Sequence, residues 1–481
     1  MNSLGNFTIT PQDSLAFARV SRDFNPLHLD AVAARRTRFG QTLIHGVCGT
    51  IRCLDLLLEK RATDAALLGI RVKYSKPATQ GQALEVFEET TQGMTRLELF
   101  ADGTRCQVIE LEIIDTLASD HRCDRLSVCA AGSDVPVELS INGCSGLSGE
   151  VELCWDEALM RSLFPFASKH LPAHQLATLL ASTRIVGMKC PGLHSVFAQL
   201  GLRFCAPATQ EDARDVAQLE YRVLSTDPRI DRIELELHSA TARGTVEAFF
   251  RPPPVQQASV KSIAMHVSNG EFKTQNALVI GGSRGLGEVI SKVLAAGGAN
   301  LMLTYAAGKQ DADSVAGDIG RGLTAPGVCH YNVLEGLFSQ EMREFCTSVT
   351  HIYYLASPTI AKSDASKWDR QLFTRYCDFY IDGLATLLQQ VMPLRNGDHK
   401  LQLFIPSSIF LQQSVKGFDE YIAAKSAAEA FVKCFEKSHR NCTVVAPRLP
   451  RLYTDQTSNS KNSDEQQTLK VIIGELRLAS G

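Results

Sequence analysis

The sequence predicts a chain in two parts: a duplicated α+β half, then an α/β half built on a doubly wound parallel sheet. Three observations carry that prediction. Val-Lys-Tyr-Ser-Lys-Pro-Ala-Thr-Gln, ending at Gln80, is echoed by Leu-Arg-Phe-Cys-Ala-Pro-Ala-Thr-Gln, ending at Gln210, an offset of 130 residues. Three consecutive prolines, Pro252 to Pro254, stiffen the backbone and remove donors, which marks a boundary. Beyond them a short apolar run, a glycine turn, an amphipathic helix and a second run follow in order, the unit of a parallel sheet.

Length and composition agree. At roughly 150 residues per domain, 481 residues make about three domains, and 44% hydrophobic with 21% charged residues rules out a disordered or fibrous chain. Lys and Arg number 49 against 52 Asp and Glu, so a nucleic-acid partner has no basic footprint. No apolar run reaches the ~18 residues of a membrane span, and the start lacks the basic and apolar regions of a signal peptide, so a cytoplasmic protein is expected. None of the 14 cysteines forms a Cys-x-x-Cys pair, and they read as small buried hydrophobes. His170 and His174 have helical metal-ligand spacing, but Pro172 lies between them, so no metal is expected.

In the first copy, strand-like alternation covers Ala83–Glu88 and Gln107–Ile114; in the second, Ala217–Val223 and Arg232–His238. Matching context around both echoes predicts a repeated fold. Residues 116–149 read as a connector with one strand at Val135–Ile141, and 253–274 as a linker. The predicted domains are therefore 1–115, 150–252 and 275–481.

Residues 23–30 read Asp-Phe-Asn-Pro-Leu-His-Leu-Asp. Asn25-Pro26 is a turn signal that sets Asp23 and His28 on either side of a bend. A carboxylate and an imidazole brought together can move protons between a water and a substrate, which addition or removal of water across a double bond requires. From Phe7 to Gly46 the segment resembles the MaoC-like, (R)-specific enoyl-thioester hydratases of the hot-dog fold. The shared pattern runs through Ile-Thr-x-x-Asp, Asp-x-Asn-Pro-x-His-x-Asp, Phe-Gly and His-Gly. The resemblance implies that Asp23 and His28 are the catalytic pair, that Asn25 holds the loop, and that the Gly46 N–H binds the thioester oxygen. A helix N-terminus suits that last task. His45 reads as a structural hydrogen bond. No Asp-x-Asn-Pro-x-His recurs between 150 and 215, and His194 there reads as structural; the resemblance implies that the second copy is a degenerate hot dog, which in larger relatives shapes the acyl tunnel.

Beyond the prolines, Ala277–Ile280 is a strand, Gly281-Gly282-Ser283-Arg284-Gly285-Leu286-Gly287 a turn, and Val289, Ile290, Val293 and Leu294 one face of a helix. Glycines so placed allow a pyrophosphate to approach the backbone at a helix start. Downstream, Tyr421 and Lys425 are four apart on one helix face, so an ammonium can lower the phenol's pKa, and Ser408 lies thirteen residues before Tyr421. From about Asn276 to Thr457 the chain resembles the short-chain dehydrogenase/reductase family with its Rossmann-like sheet. The resemblance implies Tyr421 as proton donor, Lys425 as its modulator and ribose ligand, and Ser408 as carbonyl clamp. Gly281, Ser283, Arg284, Gly285, Leu286 and Gly287 would form the phosphate turn. The second strand ends at Tyr305 without an acid, while Arg284 and Lys309 can pair with a 2′-phosphate, so NADPH is expected. The sequence departs from the family at Leu355-Ala356-Ser357, at Asn332, around Tyr380–Asp382, and in reaching Gly481 before the usual last strand.

Taken together, the resemblances imply a bifunctional enzyme: NADPH-dependent reduction of a 3-oxoacyl thioester, then dehydration of the (R)-3-hydroxyacyl thioester to the trans-2-enoyl product, in fatty-acid or polyketide-like metabolism. The thioester would be carried on CoA or an acyl carrier protein, and a homo-oligomer is expected. Two alternatives stand beside this: a hydratase with an inactive reductase-like scaffold, and a non-enzymatic protein that binds acyl thioesters or a partner.

Overall fold

The structure is a computed structural model that describes residues 2–91, 93–116, 126, 128, 135–205, 217–363, 366–396, 399–457 and 464–480. The chain divides into two compact units, Met1–Arg35 with Gln41–Pro253, and Arg36–Gly40 with Pro254–Gly481.

The first unit is one ten-stranded antiparallel sheet around two buried helices. Its first half holds β1 (Asn2–Thr8), α1 (Pro11–Ser21), α2 (Gly46–Arg61), β2 (Ala65–Tyr74), β3 (Ala83–Thr91), β4 (Met94–Ala101) and β5 (Thr104–Asp115). Its second half holds β6 (Ser148–Glu152), α3 (Ala173–Arg184), β7 (Ser195–Phe204), β8 (Gln218–Asp227), β9 (Arg232–His238) and β10 (Ala242–Phe250). The strand order is β1-β3-β4-β5-β2-β7-β10-β9-β8-β6, so the second five repeat the first five read backwards. The halves join where β2 pairs antiparallel with β7, Ile70 opposite Leu202 and Val72 opposite Leu200. In the first copy of the sequence echo, Thr79 bridges to Leu43; the second copy begins at the end of β7, and its residues 206–210 lie outside the described residues.

Local chemistry sets these elements. Thr10 and Asp13 form a reciprocal capping box that starts α1. The β4–β5 hairpin turns on Asp102-Gly103, both at positive φ, as a two-residue hairpin demands. Apart from Arg52 and Asp55, α2 carries no charge until Glu59, and it is buried on nearly all sides, as is α3. The two helices and the inner faces of the strands share one hydrophobic core.

The strand expected at Val135–Ile141 does not form. Only Glu138 makes a bridge, to Gly192, and Ile141–Gly143 is a 3₁₀ turn. The Val137 N–H and C=O are spent instead on Met188 and Leu193, in the turn after α3, which leaves the apolar side chains of Val135 and Val137 exposed. Residues 117–125, 127 and 129–134 of the connector lie outside the described residues. His170 and His174 share no helix, since the chain breaks at Leu171, and His170 bonds Asp64 at 2.9 Å. Most described cysteines are free thiols; Cys154 is in a disulfide.

The second unit is a six-stranded parallel sheet. In chain order it holds β11 (Asn276–Ile280), α4 (Gly285–Ala296), β12 (Asn300–Tyr305), α5 (Lys309–Gly320), β13 (Gly327–His330), β14 (His351–Tyr354), α6 (Gly383–Leu394), β15 (Leu401–Phe404), α7 (Asp419–Ser438), a strand β16 (Cys442–Val445) and α8 (Glu465–Ser480). The order β13-β12-β11-β14-β15-β16 is doubly wound, reversing direction between β11 and β14. Along β11, Ala277 and Val279 face one helical layer while Leu278 and Ile280 face the other, so each face has its own core. The segment 253–274, expected to be a linker, packs into the first of these cores through Val260, Ile263, Val267 and Phe272, because its apolar residues find a surface to cover.

Candidate active sites

The bend after α1 brings the N-terminal constellation together. The helix ends at Ser21 with Arg22 in the left-handed region, and Asn25 caps the short turn Pro26–Leu29 by accepting from the Leu27 N–H at 3.1 Å. The Asn25 amide also donates to the carbonyls of Gly187, at 2.9 Å, and of Gly192 and Leu193, at 3.3 Å. The loop is thereby fastened to the second half.

Asp23 is 1% exposed. Its Oδ1 accepts from the Asn25 N–H at 3.2 Å and its Oδ2 from the Thr183 hydroxyl at 2.7 Å. Burial raises its pKa, against the pull of His28, Thr183 and Asn25. The His28 Nδ1 lies 3.1 Å from the Leu43 carbonyl, which assigns the proton to that nitrogen and leaves Nε2 as the free base. Burial lowers its pKa, opposed by Asp23 and assisted by Arg251. His45 stacks on His28 with ring centroids 3.9 Å apart, and its Nε2 donates to the Asp23 carbonyl at 3.0 Å. Its Nδ1 is buried without a partner, and burial holds its pKa well down, so the ring stays neutral.

One donor atom from each of Asp23, His28 and His45 lies within 4.8 Å of the others. Gly46 opens α2, so its N–H has no acceptor within the helix. A Cβ there would come within 2.8 Å of the Tyr74 ring, which accounts for the glycine.

Three residues around this site escaped sequence reasoning. Thr183, Gly187 and Arg251 all come from the second half, and no short spacing marks them. Arg251 is 8% exposed and donates to the Leu193 carbonyl at 2.7 Å; burial pushes its pKa down to about 10, so it remains a cation near His28. His194 bonds Glu138 at 2.9 Å, a structural role.

In the second unit the glycine turn is a cradle. Gly281 and Gly285 have positive φ, and a Cβ on Gly287 would lie 2.0 Å from the Gly281 carbonyl oxygen. Ser283 is buried in the turn, and Leu286 packs against the adjoining core. The residues present therefore fit a dinucleotide pyrophosphate at the start of α4. The two cations expected for a 2′-phosphate are already engaged: Arg284 lies 3.6 Å from Asp455, and Lys309 bonds Asp313 at 2.8 Å.

Ser408, at the mouth of the sheet, hydrogen-bonds Tyr421 on α7 and also accepts from the Phe410 N–H at 3.2 Å. Lys425 lies one turn further along α7. Its ammonium donates to the Pro406 carbonyl at 2.9 Å and lies 3.9 Å from the ring centroid of Tyr380, in the π-helical turn Asp378–Asp382. Burial pushes Lys425 down to about 7 and Tyr421 up to about 12, the latter against the pull of its hydrogen bond to Ser408. Tyr380 also hydrogen-bonds Ser357 at 2.7 Å, where the family pattern has Asn-Ala-Gly.

The family described as MaoC like domain matches residues 4–104, and the family described as short chain dehydrogenase matches residues 275–466. The chain joins a MaoC-like domain to a short-chain dehydrogenase domain. The MaoC-like part contains the Asp23–His28 bend, and the dehydrogenase part the glycine cradle and the Ser408–Tyr421–Lys425 set. Among curated proteins, the chain is 31% identical over 98 residues to the peroxisomal multifunctional enzyme type 2 of Drosophila melanogaster, covering 20% of this chain and 14% of that protein. It therefore spans about one seventh of that relative's length. Similar solved structures include a short chain dehydrogenase from Salmonella enterica serovar Typhi (18% identity, 44% of this chain and 92% of that one, TM-score 0.38). A structure described as a MaoC-like dehydratase covers 52% of this chain and 96% of its own, at 15% identity and TM-score 0.37. No described helix is long and apolar enough to cross a membrane.

Proposed function

We propose that the protein is a bifunctional acyl-thioester enzyme that interconverts (R)-3-hydroxyacyl and trans-2-enoyl thioesters at Asp23 and His28, and reduces a 3-oxoacyl thioester at Ser408, Tyr421 and Lys425. The observation that carries the reading is the buried Asp23 carboxyl beside a His28 whose Nε2 is free. Burial favours the neutral form of each group, a protonated Asp23 carboxyl and an uncharged His28, and such a pair can serve as acid and base. In dehydration, the neutral His28 Nε2 takes the proton at C2 while Asp23 gives a proton to the departing C3 oxygen. The Gly46 N–H meets the charge that grows on the thioester oxygen. The two five-stranded halves are read as two hot dogs, the second degenerate, within domains 1–115, 150–252 and 275–481.

In the second unit Tyr421 would give its proton to the carbonyl oxygen that Ser408 holds. A nicotinamide dinucleotide in the glycine cradle supplies the hydride. NADPH is the favoured form: Lys309 is held by an exposed pair of little energy and can exchange Asp313 for a phosphate, with Arg284 beside it. Joining consecutive steps in one chain raises the local concentration of the shared intermediate. The carrier is CoA or an acyl carrier protein, and the assembly a homo-oligomer. Asp23→Asn is expected to abolish hydration of a 2-enoyl thioester and to leave NADPH oxidation intact; undiminished hydration by the variant overturns the reading. A second reading, in which the reductase part is a scaffold, is favoured by the turning of Lys425 towards Tyr380. A fluorescence titration that shows no NADPH binding would establish it.

A further inference from the structure

We propose that Thr183, carried by the second half, is a positioning residue of the hydration site: its hydroxyl fixes the Asp23 carboxylate and sets the pH at which that carboxyl takes its proton. The inference rests on the hydration reading above and goes beyond it, because it gives the half without a catalytic motif a share in the chemistry.

Thr183 is 4% exposed and stands in the last turn of α3. Its 2.7 Å bond to Asp23 Oδ2 spans 160 residues of sequence. The other carboxylate oxygen is held by the Asn25 N–H. One helical turn beyond Thr183 is Gly187, where a Cβ would lie 2.3 Å from Asp23 Oδ1, so the backbone of the second half presses against the acid from the same side. Asp23 is thus gripped between its own loop and the end of α3.

A hydroxyl that donates to a carboxylate favours the ionised form and opposes the effect of burial. It also occupies one lone pair on Oδ2, as the Asn25 N–H does on Oδ1, so the carboxylate is oriented from both oxygens. Among the groups that favour the Asp23 carboxylate, His28 and the Asn25 N–H belong to its own loop, and Thr183 is the one that the second half supplies. His28 is the charged partner from the same segment, His45 is a neutral ring donating to the Asp23 carbonyl, and Arg251 from the second half acts on His28.

The test is an infrared titration of the whole chain, taking as the Asp23 signal the protonated carboxyl stretch that Asp23→Asn removes. In Thr183→Val the protonation midpoint should rise by about one pH unit, the shift expected when a hydrogen bond to a charged group is lost. In Thr183→Ser, which keeps the hydroxyl, it should return to the wild-type value. The acidic limb of the hydration pH profile should move with it. Thr183→Ala stands in if the valine does not fold. A midpoint equal in wild type and in the variant lacking the hydroxyl, or a serine that fails to restore it, overturns the proposal. Wild-type hydration of a 2-enoyl thioester is measured separately; its absence removes the hydration reading, while the titration still decides the role of Thr183.

Discussion

His28, His45 and His351 are all pushed below the ordinary imidazole range by burial, His351 to about 4. A histidine neutral in the folded state but charged when unfolded binds its proton to the unfolded chain first. Its contribution is complete above the unfolded value, near 6.5, and is lost as pH falls from there towards the folded pKa. Stability against urea should therefore drop between pH 7 and pH 5, with the midpoint moving to lower denaturant. An unchanged midpoint would mean that the rings are hydrated. Lys425 has the opposite arithmetic on binding. Burial pushes it down to about 7, which makes its neutral form accessible near neutral pH, and a polyanionic dinucleotide beside it favours the ammonium. Calorimetry in buffers of different ionisation heat should show a fraction of a proton taken up on NADPH binding at pH 7.5; zero uptake would place Lys425 away from the cofactor. The sequence makes Asp23, His28, Tyr421 and Lys425 legible because each sits in a short pattern. It hides the direction Lys425 takes, since Pro406 and Tyr380 decide that from 19 and 45 residues away.

At the level of elements, alternation marks strands in both copies, and the resemblance places a helix start at Gly46, where α2 begins. The connector misled, because Val135–Ile141 has a strand's composition but its backbone partners lie in the turn after α3. That turn is also where element packing meets chemistry. In Gly187→Ala the new Cβ would fall 2.3 Å from Asp23 Oδ1, a distance the structure can relieve only by moving the carboxylate or the helix end. Overpacking of this kind costs about 1–3 kcal/mol, and a displaced acid about 10²-fold in rate. Gly187→Ala is expected to lose hydration by about that factor while NADPH oxidation stays unchanged; full hydration would show that the helix end yields freely.

Across the whole molecule, the reversed strand order turns two half-folds into one sheet, and the Asp23–His28 bend is completed by the half that carries no motif of its own. Residues 1–115 contain Asp23, Asn25, His28 and Gly46 but lack Thr183, Gly187, Leu193 and Arg251. They would also leave the β2 edge, paired with β7 in the whole chain, open to other strands. Residues 1–253 hold every group found around Asp23 and His28, together with the shared core. The longer fragment should hydrate a 2-enoyl thioester within about tenfold of the intact chain, a difference of ~1.4 kcal/mol in the barrier. The shorter one should show no hydration and should self-associate in gel filtration. Hydration by 1–115 alone would mean that the first half suffices and that the second is only a wall, whereas loss of hydration in a folded 1–253 would place a missing group beyond Pro253.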